Sequence, residues 1–443
     1  MPSAAPPALS ARSGGLPLRL LLVLALCSMV GPAATDLYLP AFPEMARDLG
    51  VEAPGVQLTL TAFLLGMGAG QLFFGAVSDK YGRFRPLLAG LSVFFLASVL
   101  AALAPTLEIL VAARLLQGLS AASGIVISRA IVADRVSGAA AIRVFSLLMT
   151  MVGVAPAVAP LAGSFISAAA GWRGVLWVLA GFSAVMVLGM LLVVRESHPV
   201  ANRRRGALLG GLGEVAKRPR FLGYVALGGA NFGVLIGVIS ASPFVYQSMM
   251  GFSAQVYGLF FGLNALGMMA SGIISSRLAG RVPARRTLGV AVAVTLAVSL
   301  STLVFVLSGL PAVVLAPCLF LLVSALGFVM GNNTGLALAE VRHVSGSGSA
   351  LLGGAQFGMG ALASVLVGLG GELTALPLAV VLTASSFVAL CAFAATAQRN
   401  VPVQRNVPAQ RKAAAPGSLP APAADAPAAD APAADAPAAD PSR

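Results

Sequence analysis

Apolar runs of about twenty residues follow one another along almost the whole chain, and each is long enough to cross a bilayer as a helix. A helix satisfies its own backbone hydrogen bonds, which hydrocarbon demands of any segment that spans it. Only 10% of the 443 residues are charged and 58% are hydrophobic, against about 25% charged in a soluble domain. The runs fall near 18–40, 56–77, 86–104, 107–130, 143–169, 174–194, 221–246, 255–276, 287–308, 312–338, 348–371 and 375–396. Alternating strands of about ten residues, the pattern of an outer-membrane barrel, are absent. The expected fold class is an all-α polytopic membrane protein of about twelve transmembrane helices.

The formal net charge is +13. In a soluble chain that would point to nucleic acid. Here the basic residues crowd alternate loops, at Lys80–Arg85, Arg129–Arg143, Arg195–Arg220 and Arg277–Arg286, while the loops between hold little beyond Arg47 and Arg173. Orientation explains this better, so no nucleic-acid partner is expected. The crowded loops, and with them both termini, are read as cytoplasmic. Arg19 followed by LLLVLALCSMV is similar to a signal peptide, but the apolar run continues to Tyr38 and is read as the first span. Cys27, Cys318 and Cys391 lie in separate apolar runs and His198 and His343 in loops. Neither set has metal-ligand or disulfide spacing, so no metal is expected.

The longest interior polar segment, Arg195–Arg220, has six runs before it and six after. The expected organisation is a cytoplasmic tail at 1–17, a six-helix bundle at 18–195, a central cytoplasmic loop at 196–219, a second six-helix bundle at 220–397, and a tail at 398–443. The APAAD repeats of that tail bury nothing and should be disordered. SRLAGRVPARR at Ser276–Arg286 occupies the place in the second half that SDKYGRFRP occupies in the first, a weak internal repeat.

Gly75 to Pro86, GAVSDKYGRFRP, is a short charged turn between two uncharged runs, Gln57–Val77 and Leu87–Leu107. It makes two helices antiparallel neighbours, with Asp79, Lys80, Arg83 and Arg85 at a membrane surface and Gly75 and Gly82 expected to let backbones approach. Within the membrane, Asp36 and Arg114 are the conspicuous charges, and such charges normally face a cavity or a partner. At 1.5 Å per residue both lie about 10 Å below the same membrane face, where they can pair or titrate against each other if their helices adjoin. Burial favours the neutral carboxylic acid and a nearby arginine favours the anion, which is a basis for proton coupling. Gln117, one turn beyond Arg114, extends the polar group. The bland alternative is a static aspartate and an arginine bonded to backbone carbonyls.

Four segments together resemble the major facilitator superfamily, and most closely its Bcr/CflA-type branch of bacterial drug-resistance exporters, over about 18–396. TDLYLPAFPEMARDLG at Thr35–Gly50 resembles that branch's first-helix signature. GAVSDKYGRFRP resembles the superfamily's loop motif, with Phe84 where a basic residue is usual. RLLQGLSAASG at Arg114–Gly124 resembles its fourth-helix motif. GVAPAVAPLAG at Gly153–Gly163 resembles the antiporter motif of the fifth helix, with Ala155 where glycine is frequent. The resemblance implies two six-helix bundles that rock about a central site. It makes Gly75, Asp79, Lys80, Gly82, Arg83 and Arg85 a cytoplasmic gate, and Gly153, Pro156, Pro160 and Gly163 a seam, the prolines kinking their helix.

The expected activity is secondary active export: protons enter as small, largely apolar drugs or toxic compounds leave across a bacterial inner membrane, with no cofactor beyond the proton gradient. Asp36 carries the proton and Arg114 is its electrostatic partner. Met67, Met149, Phe232, Tyr246, Asn264 and Asn332, with Phe261 and Met268, are candidate cavity residues, flexible methionines suiting varied cargo. Its partners are the small-molecule substrate, protons and the lipid bilayer, and the chain is expected to act as a monomer. Proton-coupled transport of a metabolite such as an amino acid derivative, peptide or sugar stays open, since fold does not decide cargo. A membrane enzyme is disfavoured: no H-E-x-x-H and no phosphate-binding loop is present.

Overall fold

The computed structural model describes residues 16–136, 138–198, 213–341 and 345–397. The 398–443 tail, nearly all of the 1–17 segment, most of the 196–219 loop and His343 lie outside them. The helices are α1 (Leu18–Asp36), α2 (Phe42–Leu49), α3 (Ala53–Tyr81), α4 (Phe84–Ala102), α5 (Leu107–Arg135), α6 (Gly138–Val193), α7 (Pro219–Pro243), α8 (Ala254–Leu278), α9 (Ala284–Leu307), α10 (Leu315–Glu340), α11 (Ser345–Gly368) and α12 (Leu376–Ala395). Among the described residues eleven helical segments are long and apolar enough to cross a membrane. One belongs to α6, whose backbone leaves helical geometry at Gly171 (φ 67°, ψ 179°). Divided there, α6 supplies two spans and the total is twelve.

The break in α6 is built by residues from another helix. Glu44 of α2 accepts hydrogen bonds from the Ser167 hydroxyl (2.8 Å) and the Trp172 backbone N–H (3.3 Å). A carboxylate here meets the free donors with which a new helix begins. Asp48, one turn along α2, takes the Trp172 indole N–H (2.8 Å) and pairs with Arg173. The first apolar run divides as well. Its helix stops at Asp36, and a 3-10 turn (Leu39–Ala41) precedes α2, whose second residue is Pro43.

Small residues set the spacing of the helices. A β-carbon on Gly118 of α5 would overlap the Phe63 carbonyl of α3, and one on Gly66 would overlap the Leu115 carbonyl. Close approach of this kind replaces hydrophobic driving force inside a bilayer. Gly163 of α6 stands in the same way against the Leu37 carbonyl. Gly75 does not: no atom lies within 4 Å of a β-carbon built there, nor at Gly153, Gly354 or Gly358. The expectation of close approach at Gly75 is corrected. The residue faces a cavity, and the turn depends instead on Gly82, whose φ of 92° favours glycine.

The helices before the central loop and those after it meet along two seams. In one, α3 lies against α11, with Gly353 on the Gln71 side chain and Gly368 on that of Gln57. In the other, α6 lies against α8, with Gly258 on the Pro160–Leu161 backbone and Gly262 on the Ala157 carbonyl.

Replacing Gly118 by valine should therefore force α3 and α5 apart and cost about 1–3 kcal/mol of stability. Gly75→Ala should stay within about 0.5 kcal/mol of the parent. Thermal unfolding of the purified protein in detergent measures both.

Candidate functional site

Arg114 sits on α5 with no solvent exposure. Its Nη2 donates to the Ala34 carbonyl of α1 (2.9 Å) and its Nη1 to Gln117 Oε1 (2.9 Å). The guanidinium also lies over the rings of Tyr38 and Phe63, 4.2 and 4.5 Å from their centres. Gln117 passes the chain of bonds on, its Nε2 donating to Ser98 Oγ of α4 (2.8 Å). Ala34 is available because the last four carbonyls of a helix have no partner within it, and the helix dipole makes that end negative. The flat guanidinium, more weakly hydrated than an ammonium, suits such a site.

Asp36, two residues beyond Ala34, is only 4% exposed. Its Oδ1 accepts the Thr35 hydroxyl at 2.9 Å. The helices of Asp36 and Arg114 do adjoin, but the two side chains form no ion pair. Those among the described residues are Arg83–Asp79, Arg83–Asp134 and Arg173–Asp48. The arginine is held by the backbone two residues before the acid, and the acid is left without a counter-ion in this conformation. The Leu37 carbonyl that follows it is covered by Gly163 of α6, so α1, α5 and α6 converge on one turn of chain. The α6 backbone stays helical through Pro156 and Pro160.

At the basic end of the molecule Arg83 draws three helix ends together. Its Nη1 donates to Asp79 Oδ1 (2.6 Å) and Ser78 Oγ (2.9 Å), and its Nε to Asp134 Oδ2 at the end of α5 (3.1 Å). Glu196, beyond the end of α6, accepts the backbone N–H of Arg83 (2.8 Å) and of Phe84 (3.2 Å). Burial alone would lower the affinity of this guanidinium for its proton. The bonds to Asp134 and Asp79 outweigh burial and hold it above its ordinary value, so Arg83 is a permanent cation. Lys80 lies over the Tyr81 ring and Arg85 is exposed; neither joins the cluster. Asp134 and Glu196 were not foreseen from the sequence. An acid at the inner end of a span, within a loop set otherwise crowded with basic residues, is the signal that marks them.

On the opposite face the two sets of helices are bonded across their seam. Gln57 Nε2 donates to the Ser240 carbonyl (3.0 Å) and Gln247 Nε2 to the Pro40 carbonyl (3.0 Å), with the Phe42 and Phe244 rings 6.1 Å apart between them. Toward the basic end α3 and α11 part around a cavity of about 290 Å³ lined by Gln71, Ser78, Asp79, Arg83, Arg129 and Ser349 among others. The sequence reading counted Arg129 with the basic loops. It belongs to α5, more than a turn before the helix ends, and lines this cavity.

The structure gathers some of the candidate cargo residues and separates others: Tyr246 and Phe261 flank Tyr257 in one apolar cluster, against which Phe232 and Met268 pack, while Met67 belongs to another. Met67 is buried among helices of the first half, against Gly31. Phe232 packs edge-on to Phe357, and Asn332 donates to Ser275 Oγ and the Phe328 carbonyl. Tyr246 and Asn264 are buried, and the Tyr246 hydroxyl has no hydrogen-bond partner among the described residues. Phe261 packs against Tyr257 and Met268 lies at the edge of the same apolar cluster. The Met149 side chain lies outside the described residues.

Twelve spans among the described residues, two seams between sets of helices, buried charge within the spans and a cavity toward the basic end mark a polytopic membrane transporter. The sequence profile of the Major Facilitator Superfamily matches residues 24–364, and the chain belongs to that family. The uncharacterised MFS-type transporter YdgK of Bacillus subtilis is 36% identical over 85% of this chain and 94% of the relative. A bicyclomycin resistance protein homolog of Haemophilus influenzae is 28% identical over 86% of this chain and 96% of its own length. Among solved structures, the nucleoside transporter NupG (TM-score 0.67, 14% identity, 86% of this chain and 99% of that one) shares the fold. So does a D-xylose-proton symporter (TM-score 0.66, 14% identity, 85% of this chain and 96% of that one).

Since Arg83 and not Arg85 ties the helix ends, Arg83→Gln should lower stability by about 1–3 kcal/mol and Arg85→Gln by less than about 0.5 kcal/mol. Unfolding midpoints in detergent separate the two.

Proposed function

We propose that this transporter exports small, largely apolar compounds in exchange for protons, by alternating access across a bacterial inner membrane, with both termini cytoplasmic. The observation that carries the reading is the Asp36 carboxyl, 4% exposed and in no ion pair among the described residues. Buried charge within a span is costly and marks functional sites, proton relays among them. A carboxyl on the turn where α1, α5 and α6 meet gains or loses its proton at a cost that changes when those helices move. Arg114, locked by Ala34 and Gln117, fixes the surrounding field and does not itself exchange protons.

In this reading the seams at Gly258–Gly262 and Gln57–Ser240 keep the outer side shut while cargo enters the cavity at the basic face. Asp79 and Arg83 hold the ends of α3, α5 and α6 as one unit, so that they move together. The name of the Haemophilus relative and that of the multidrug resistance protein MdtL of Escherichia fergusonii, 29% identical over 53% of this chain, support drug-like cargo. The chain acts as a monomer, with the proton gradient as its energy source.

A second reading, transport of a metabolite, draws on Arg129: a cation on the cavity wall favours a cargo with an anionic group.

Proton flux into liposomes containing the purified protein, driven by bicyclomycin or a panel of apolar dyes, tests the assignment. Asp36→Asn should reduce substrate-driven flux to background while the protein stays folded. Flux unchanged by that substitution would remove Asp36 from the proton path. Flux driven by carboxylate-bearing metabolites, and lost in Arg129→Gln, would favour the second reading.

A further inference from the structure

The second basic turn, Ser276–Arg286, carries no acid of its own. No aspartate or glutamate occurs between Glu214 and Glu340. Arg285 solves this by turning inward. Its Nη1 donates to Thr396 Oγ1 (2.8 Å), the Thr396 carbonyl (3.1 Å) and the Tyr224 hydroxyl (3.3 Å), and its Nη2 to the Phe393 carbonyl (3.3 Å). The start of α9 is thereby clamped to the end of α12. Arg286, one residue on, points elsewhere. It is exposed, its side chain has no hydrogen bond or ion pair to any described residue, and Arg277 and Arg281 on the preceding turn are exposed too.

Arg286 closes one end of a groove of about 510 Å³ between α9 and α10. Buried Ala291 and Ala325 form its floor, and Val290, Val294, Leu321 and Phe328 its walls. Positions 286, 290 and 294 share one helical face, as do 321, 325 and 328 on the facing helix. The groove is therefore a straight channel running from the charged end into the membrane. From Arg286 to Val294 it extends about 12 Å, most of the roughly 15 Å of hydrocarbon in one leaflet.

A soluble ligand has no use for an apolar channel laid open to lipid tails. A second copy of the chain, placed here about a two-fold axis, would set its arginines against these. We propose that the groove binds one anionic phospholipid, its headgroup phosphate held by Arg286 and Arg281 and one acyl chain lying over Ala291 and Ala325. Clusters of arginine at the membrane surface attract acidic lipids at about 1 kcal/mol per residue. The groove adds a fixed place for the chain, which a bare basic surface lacks. The binding is independent of what the protein transports.

Native mass spectrometry of the full-length protein in detergent, with equal amounts of phosphatidylglycerol and phosphatidylcholine of matched chains, tests this. Wild-type protein should retain one phosphatidylglycerol in preference. Arg286→Gln should weaken that retention about five-fold, the equivalent of one surface arginine. Val290→Trp, which fills the groove and leaves every charge in place, should abolish it. Thermal midpoints confirm that each variant is folded, and either variant alone decides the question. No headgroup preference in the wild type, retention unchanged by either substitution, or a lipid-free dimer would overturn the proposal.

Discussion

Arg114 carries a full positive charge with no exposure, and the helices around it are placed to hold it from several sides. The carbonyl at the end of α1, the amide of Gln117 and the faces of Tyr38 and Phe63 all converge on one guanidinium. An ion pair with Asp36 would have been the obvious way to neutralise it. The structure uses instead the negative end of a helix and two aromatic quadrupoles, each worth less than a full anion but rigid. The consequence is an acid nearby that is not committed to the arginine. The end of α1 frees the Ala34 carbonyl for Arg114, and the 3-10 turn and α2 that follow carry Glu44 and Asp48 to the corner of α6 at Gly171.

The two halves of the chain treat charge differently. In the first, Arg83 gathers Asp79 and Asp134, and the backbone beside it binds Glu196, so that helix ends are joined by ionic bonds at the surface. In the second, Arg285 must make do with carbonyls and hydroxyls of α12 and α7, since no carboxylate is within its stretch of chain. A clamp of neutral acceptors is insensitive to protons. The ion-paired acids among the described residues are thus all in the first half, where Asp36 also lies. Across the seams the bonding is again neutral, from glutamine side chains to the Ser240 and Pro40 carbonyls. Such bonds exchange with water at small net cost, which suits contacts that break and re-form.

Much of the fold was legible in the sequence because a bilayer demands one thing of every span, a run of apolar residues, and composition reports it directly. The fused α6 was read as two spans, and Gly171 keeps both, although Glu44 supplies the cap from a distant part of the chain. What sequence could not convey is rotation and backbone. Gly75 and Gly118 look alike as letters. Which one meets a neighbouring carbonyl depends on how α3 and α5 turn toward each other. Depth along the helices brought Asp36 and Arg114 to the same level, yet the acceptor Arg114 uses is the Ala34 carbonyl, which every residue possesses and no sequence displays. In the sequence Arg129 stands both at the edge of the apolar run 107–130 and at the head of the basic group Arg129–Arg143, so its place is ambiguous there. The helix runs on past it to Arg135, and that continuation puts a charge on the cavity wall.

In the proposed function Asp36 couples protons to the movement of the two sets of helices. Spin labels at Glu52, at the start of α3, and at Leu373, before α12, report the separation of the outer ends in lipid nanodiscs, and pulsed electron resonance gives that distance as pH is varied. Wild-type protein should show a distance distribution that shifts with pH, and Asp36→Asn should hold one distribution at every pH. A shift of equal size in the substituted protein would contradict the account, because the protons that move the helices would then bind elsewhere.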